Sequence, residues 1–308
     1  LKHIARLDLL RAFEQSRFPE IRRPDKHIVI DPQGTERRAW LDWLSSPAGT
    51  LDPTGRYRSA PFLTADIEYI GSRLLCLGAT RHADVAIVFR TNDQIAVAEM
   101  RSLMLCGVPL CFQNGMFDCS ILEWYYDIPC IKYLMHDTMV GMHVAYTEFP
   151  KDLGFIGSIY TEQPVWWDKV DWKSVEKGRQ TIEEVMLYNG IDVWVTHSSM
   201  EQMLVDELAD KELRDEYDYE MSLIPPLWEI SKRGVAIDVE GMTSLKTELT
   251  EESQLFLQGL QQINDGKPIN PRSRPQVREL LFEKLKLPKG KLTASGAFST
   301  DDQTLAGL

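Results

Sequence analysis

The sequence predicts an α/β fold: a mixed β-sheet flanked by helices, followed by a mostly helical C-terminal segment. Three apolar runs of strand length, 62–69, 74–79 and 84–89, follow one another closely, with Gly71-Ser72 as a tight connection between the first two. That spacing reads as an antiparallel meander. Strand-like and helix-like patterns then alternate as far as about residue 145, and strands followed by such alternation predict a mixed sheet covered by helices. From Ser174 onward the pattern is almost wholly helical.

Taken in order, residues 1–56 hold a helix-like start (4–18), a basic turn at Arg22-Arg23-Pro24, a short strand (27–30) and a helix over 35–44. Pro47, Gly49, Pro53 and Gly55 then make a linker. This stretch reads as an N-terminal extension, the tail of a preceding domain, and the start at Leu1 as a cut from something longer. Beyond the meander, Asn92 is expected to cap a helix through Cys106. A fourth strand covers 109–113, a helix 116–126 and a short strand 131–135, and Asp137 starts another helix. Residues 152–173 read as loop, with Trp166, Trp167 and Trp172. Helical patterns cover 174–210, broken near Asn189-Gly190, then 211–231, 239–263 and, opened by Pro271 and Ser273, a last helix to Lys286. The domain boundaries that follow are 1–56, 57–210 and 211–308.

A length of 308 residues suits about two domains, and 44% hydrophobic residues with eight Trp allow real cores. No apolar run reaches ~18 residues, so no membrane span is expected; residues 1–10 carry charges and lack a signal-peptide core. Cys76, Cys106, Cys111, Cys119 and Cys130 are odd in number, form no C-x-x-C pair and lie in or beside apolar segments. They are expected to be buried free thiols in a reducing compartment. The net charge of −12 argues against a protein that coats nucleic acid by bulk attraction. Residues 267–291 depart from it, with eight Lys and Arg opposed by Glu279 and Glu283 alone.

The first strand carries the chemistry. Alternation sends Leu63, Ala65, Ile67 and Tyr69 one way and Thr64, Asp66, Glu68 and Ile70 the other. Asp66 and Glu68 therefore project side by side, where two carboxylates repel each other and lose hydration. A divalent cation reverses that sign, because hard cations take oxygen ligands. The plain alternative is two surface acids. Asp-x-Glu recurs at 210/212, 218/220 and 238/240, but in helix-like stretches where positions two apart do not share a face.

Two later sites join the pair. In Asn114-Gly115-Met116-Phe117-Asp118, Asp118 falls in the first turn of a helix just after a strand; the plain alternative is an N-terminal capping acid. In Tyr188-Asn189-Gly190-Ile191-Asp192, Tyr188 and Asp192 share one helix face, although Tyr133/Asp137 has the same spacing. There the plain alternative is a packed tyrosine beside a surface acid.

In this order and context the set resembles the proofreading 3′→5′ exonucleases that carry four acids and a tyrosine, over about residues 60–210. Asp66, Glu68, Asp118 and Asp192 match the acids and Tyr188 the tyrosine. His136-Asp137-Thr138-Met139 matches an intervening segment of the family, in which Asp137 is structural. The resemblance implies a ribonuclease H-like fold, two divalent ions (Mg²⁺ or Mn²⁺) and hydrolysis at the 3′ ends of single-stranded DNA. By the family pattern Asp66 bridges both ions, Glu68 and Asp192 hold one, and Asp118 serves the other through water. Tyr188 positions the attacking water, and Asn114 and Phe117 contact the terminal nucleotide.

The last third resembles the opening of the polymerase domain of family A DNA polymerases. Residues 220–238, ending Lys-Arg-Gly-Val-Ala-Ile-Asp, carry the likeness, as do Ile269-Asn270-Pro271-Arg272-Ser273, Gln276-Val277, 281–285 and 297–301. In that family this region leads into the thumb, which grips primer–template DNA, so Arg272, Arg274 and Arg278 are candidates for backbone phosphates. An ordinary solvated helix face is the plain alternative. The palm and fingers motifs are expected beyond Leu308, and the setting is cytoplasmic, bacterial or phage-encoded. Two alternatives remain. One is a free-standing RNA-trimming exonuclease of the RNase D-like kind, which Asn270 to Ser299 speak against. The other is a catalytically silent DNA-binding module, in which decay should have erased at least one acid.

Overall fold

The structure, a computed structural model, describes residues 2–20, 26–164, 166, 168, 170–293 and 296–307, with their side chains except those of residues 2–4 and 7. The basic turn expected at Arg22-Arg23-Pro24, and Trp167, lie outside them. The chain forms two compact units, Leu1–Arg233 and Gly234–Leu308.

In the first unit, helix α1 (Lys2–Gln15) is followed by strand β1 (His27–Ile30) and helix α2 (Gly34–Leu44). The meander is β2 (Leu63–Ile70), β3 (Arg73–His82) and β4 (Val85–Arg90), and α3 (Gln94–Met104) follows it. Then come β5 (Leu110–Phe112), α4 (Gly115–Tyr126), β6 (Leu134–Asp137) and α5 (Thr138–Ala145). The unit ends with α6 (Leu153–Tyr160), α7 (Trp172–Glu176), α8 (Ile182–Val205) and α9 (Lys211–Arg233).

The six strands form one sheet in the order β1-β4-β3-β2-β5-β6. β2, β3 and β4 pair antiparallel; β1 joins β4, β5 joins β2 and β6 joins β5 in parallel. This is the mixed sheet flanked by helices that the sequence predicts. β1 and α2 fall in the stretch read as an extension, yet β1 completes the sheet edge, and Trp40, Trp43 and Leu44 of α2 are in the main core. β3 is buried along eight successive residues, Leu74 to Arg81. A strand covered on both faces reads as a continuous apolar run.

The longest helix of the unit is α8, and it departs from expectation. It runs unbroken through Asn189-Gly190 and begins at Ile182, where Thr181 and Glu184 form a capping box. Gly190 is there for contact: a Cβ on it would lie 2.6 Å from Ile28 Cγ2 and 3.1 Å from Val88 Cγ2. Gly78 of β3 does the same from the sheet side, since a Cβ there would lie 2.6 Å from Val193 Cγ2. Packing outweighs the helix cost of glycine, ~1 kcal/mol against alanine.

Three smaller corrections follow. The α3 cap is Asp93, whose carboxylate accepts from Ala96 N, and not Asn92. The stretch expected to be loop over 152–173 contains α6, capped by Asp152, and the start of α7. Four cysteines are buried as expected, but Cys106 is exposed; all five are free.

The second unit carries α10 (Val239–Ile263), α11 (Arg274–Arg278), which continues as a π-helical turn over Glu279–Lys284, and α12 (Asp302–Ala306). Two of its basic residues are paired, Lys284 with Asp265 at 2.6 Å and Lys289 with Glu283 at 3.0 Å. No helix of the described residues is long and apolar enough to cross a membrane.

Candidate active site

The site sits where α8 crosses the face of β2. β2 sends Thr64, Asp66 and Glu68 to that face: Thr64 Oγ1 lies 2.7 Å from His197 Nδ1 of α8, and Asp66 Oδ2 accepts from Asn189 Nδ2 at 2.7 Å. Asp192, one turn beyond Tyr188 on α8, comes to the same place. Carboxylate oxygens of Asp66, Glu68 and Asp192 all lie within 4.8 Å of one another.

Asp118 comes from α4, which follows β5, the strand paired in parallel with β2. Its backbone is set by a turn in which Asn114 adopts a left-handed conformation (φ 57°, ψ 45°). Asparagine tolerates that region better than most residues. Gly115 follows because a Cβ there would lie 2.7 Å from Phe112 Cβ. The buried carboxylate of Asp137 accepts from the backbone N–H of Asn114 at 3.1 Å and of Gly115 at 2.7 Å, and also caps α5 through Met139 N at 2.8 Å. Asp137 thus fixes the entry to α4, and Tyr133, in the 3₁₀ turn before β6, shares no helix with it. In the first turn of α4, Asp118 Oδ1 accepts from Ile67 N at 3.3 Å, between the two acids of β2. Asp118 is not part of the 4.8 Å group, but it lines the same cleft, of about 640 Å³, with Asp66, Glu68, Asn114, Phe117, Tyr188 and Asp192.

The acids are there at an electrostatic cost. Glu68, Asp118 and Asp192 are 9%, 5% and 8% exposed, and Asp66 is half-buried. Burial, then the charges of Glu68, Asp118 and Asp192, hold the Asp66 carboxyl well above its ordinary range. Burial, then Asp192 and Asp118, do the same to Glu68. Burial lifts Asp118 to about 8 and Asp192 to about 7. The Tyr188 hydroxyl, hydrogen-bonded to Asp192, is raised by burial and by the nearby acids, so it stays protonated. Oxygen donors at this spacing that cannot all ionise alone fit a hard divalent cation.

The cleft has an aromatic rim. Tyr69 and Phe117 meet at 5.8 Å between ring centres, with Phe117 47% exposed, and Trp172 stands edge-on to Tyr188 at 6.2 Å. Arg272, Arg274 and Arg278 belong to the second unit, where Arg272 and Arg274 are exposed and Arg278 is half-buried.

No family model matches the chain. Over 113 residues it is 33% identical to DNA polymerase I of Bacillus subtilis (strain 168). The chain resembles a part of DNA polymerase I. That match covers 36% of this chain and 12% of the relative. The fold is similar to the POL domain of Pol1 from M. smegmatis, solved with DNA primer-template and dNTP, with a TM-score of 0.53 and 16% identity. That likeness covers 90% of this chain and 44% of that one. It is also similar to Brucella melitensis NrnC bound to pGG (TM-score 0.50, 16% identity), over 70% of this chain and 98% of that one. Both likenesses concern the fold alone, a mixed sheet flanked by helices.

Besides the Ile67 N–H, two side-chain contacts to the acids were not foreseen. Trp166 Nε1 donates to Asp192 Oδ1 at 2.5 Å from the loop after α6, and Asn189 donates to Asp66. Asn189 lies inside the Tyr188–Asp192 segment, so its position was a signal; for Trp166 nothing in the spacing was.

Proposed function

We propose that the chain is a metal-dependent 3′→5′ exonuclease that releases nucleoside monophosphates from DNA 3′ ends. It would form the proofreading part of a cytoplasmic DNA polymerase I-like enzyme, with residues 57–210 as the nuclease domain and 211–308 as the start of the polymerase domain. What supports this most is the meeting of Asp66, Glu68 and Asp192 within 4.8 Å, although these residues span 127 positions of sequence. Asp118 and Tyr188 line the same cleft.

Asp66, Glu68 and Asp192 would hold divalent ions, Mg²⁺ or Mn²⁺, with Asp118 serving the second. When bound, a pair of such ions supplies positive charge against the negative charge that develops in phosphoryl transfer. The chain's residues do the rest. Asn114 and Phe117 would seat the terminal nucleotide, with the exposed ring of Phe117 offering a stacking surface. Tyr188, protonated and one turn from Asp192, would orient the attacking water by a hydrogen bond rather than remove its proton. Arg272, Arg274 and Arg278 would contact the backbone of primer–template DNA.

A second reading, an exonuclease of RNA or very short oligonucleotides, is favoured by the likeness to pGG-bound NrnC over nearly its whole length. The test is release of mononucleotides from 5′-labelled single-stranded DNA and from RNA of the same sequence, with Mn²⁺ or EDTA. The proposal expects Mn²⁺-dependent shortening of DNA from the 3′ end. Preference for RNA would select the second reading, and no Mn²⁺-dependent release from either would overturn both.

A further inference from the structure

We infer that Asn189 is a positioning residue of the acidic site, holding the Asp66 carboxylate in orientation through its side-chain amide. The inference rests on the metal-dependent reading above and adds a residue to it.

Asn189 is fully buried on α8, between Tyr188 and Asp192, and spans the helix–sheet boundary to reach Asp66 Oδ2 at 2.7 Å. Among the described residues no other side chain hydrogen-bonds Asp66. The amide is accommodated by the sheet. The residue paired with Asp66 across β3 is Gly78, and a Cβ there would lie 2.3 Å from Asn189 Oδ1. The absent side chain opposite Asp66 is the space that Asn189 fills.

The amide is badly served in return. Its Oδ1 is buried without a hydrogen-bond partner among the described residues. A buried polar atom left unpaired opposes folding, and a small apolar side chain at 189 would avoid that. The bond to Asp66 is what an asparagine supplies and an alanine does not. A neutral donor suits this role, because it fixes one carboxylate oxygen without adding a positive charge that would compete with a cation. Hydrogen bonds from outside a ligand set orient ligating carboxylates in this way.

The test uses the full 308-residue chain. Mn²⁺ affinity is measured by calorimetric titration without DNA, for wild type, Asn189→Ala and Asn189→Ser, whose hydroxyl is too short to reach Asp66. Both variants should bind Mn²⁺ about 10- to 100-fold more weakly. In the nuclease assay the Mn²⁺ requirement should rise more than the maximal rate falls. A lower melting temperature with unchanged Mn²⁺ affinity would make Asn189 structural and overturn the assignment, as would failure of both variants to fold. Wild type that binds Mn²⁺ but cuts no nucleic acid would overturn the exonuclease reading and leave Asn189 its place, provided the variants bind more weakly. Wild type that binds no Mn²⁺ would overturn both.

Discussion

Asp192→Asn should stabilise the metal-free protein at alkaline pH while removing its response to metal. Burial holds the Asp192 carboxyl at about 7 against an ordinary 3.8. A folded-state pKa above the unfolded one means that the folded chain binds the proton more tightly. The stability from this group is then full below about pH 3.8 and is lost as pH rises through about 7. A gap of about three units, at ~1.36 kcal/mol each, amounts to about 4 kcal/mol by pH 8. The substitution also removes an acceptor. The asparagine oxygen can keep the bond from Trp166, while the bond from Tyr188 is lost, at about 1 kcal/mol. The net gain expected in EDTA at pH 8 is thus roughly 3 kcal/mol, turning into a loss of up to ~1 kcal/mol at pH 4, where only the missing Tyr188 bond counts. Urea unfolding followed by tryptophan fluorescence measures it, and all eight tryptophans lie at or before Trp228, so the signal reports the first unit alone. Mn²⁺ should raise the wild-type midpoint at pH 8 and leave that of the variant nearly unchanged. A variant less stable than wild type in EDTA at pH 8 would refute the claim that burying the Asp192 carboxylate costs the fold stability.

Asp66→Ala should abolish Mn²⁺-dependent nuclease activity with the fold retained and metal-free stability equal or higher; cleavage at the wild-type rate would remove Asp66 from the mechanism. Tyr188→Phe keeps the ring and loses the hydroxyl, so single-turnover cleavage should slow by about 10- to 100-fold with Mn²⁺ affinity intact. Equal rates would make Tyr188 a packing residue. Gly190→Ala should destabilise the first unit by about 1–3 kcal/mol, because its Cβ would meet Ile28. Helix propensity alone predicts the opposite sign, so a stabilised variant in the same urea assay would disprove the close contact.

The legible part of the site was the part written in local periodicity. Period two put Asp66 and Glu68 on one face of β2, and a strand followed by a helix start placed Asp118 in the first turn of α4. A four-residue spacing put Tyr188 and Asp192 on one turn of α8. What was missed depended on partners distant in sequence. Gly190 looked like a helix breaker because its reason for being small, Ile28, lies 162 residues earlier. Helix α6, Leu-Gly-Phe-Ile-Gly-Ser-Ile-Tyr, contains two glycines and has no charged face, so it reads as loop until Val195 of α8 is seen 2.7 Å from where a Cβ on Gly157 would stand. The misplaced α3 cap was an error of one residue, between two residue types that both cap well.

Asp137 shows why burial alone does not mark a functional acid. It is as buried as any member of the cluster, and desolvation raises its pKa too. Yet its carboxylate accepts backbone N–H groups of Asn114, Gly115, Met139 and Val140, each of which lowers it again. Its charge is answered by the fold, and the bonds that answer it are the ones that hold α4 and α5 in place. The cluster is treated differently. Asp118 takes the Ile67 N–H, Asp66 a single amide from Asn189, and Asp192 the donors of Trp166 and Tyr188. Those bonds orient the carboxylates but leave their charge largely uncompensated, and Asp118 and Asp192 raise Asp66 and Glu68 further. Removing the Asp137 carboxylate would therefore loosen backbone, whereas removing one from the cluster would relieve repulsion. A fold that holds four acids in this state keeps a demand for positive charge in the cleft, and a hard divalent cation is suited to meet it.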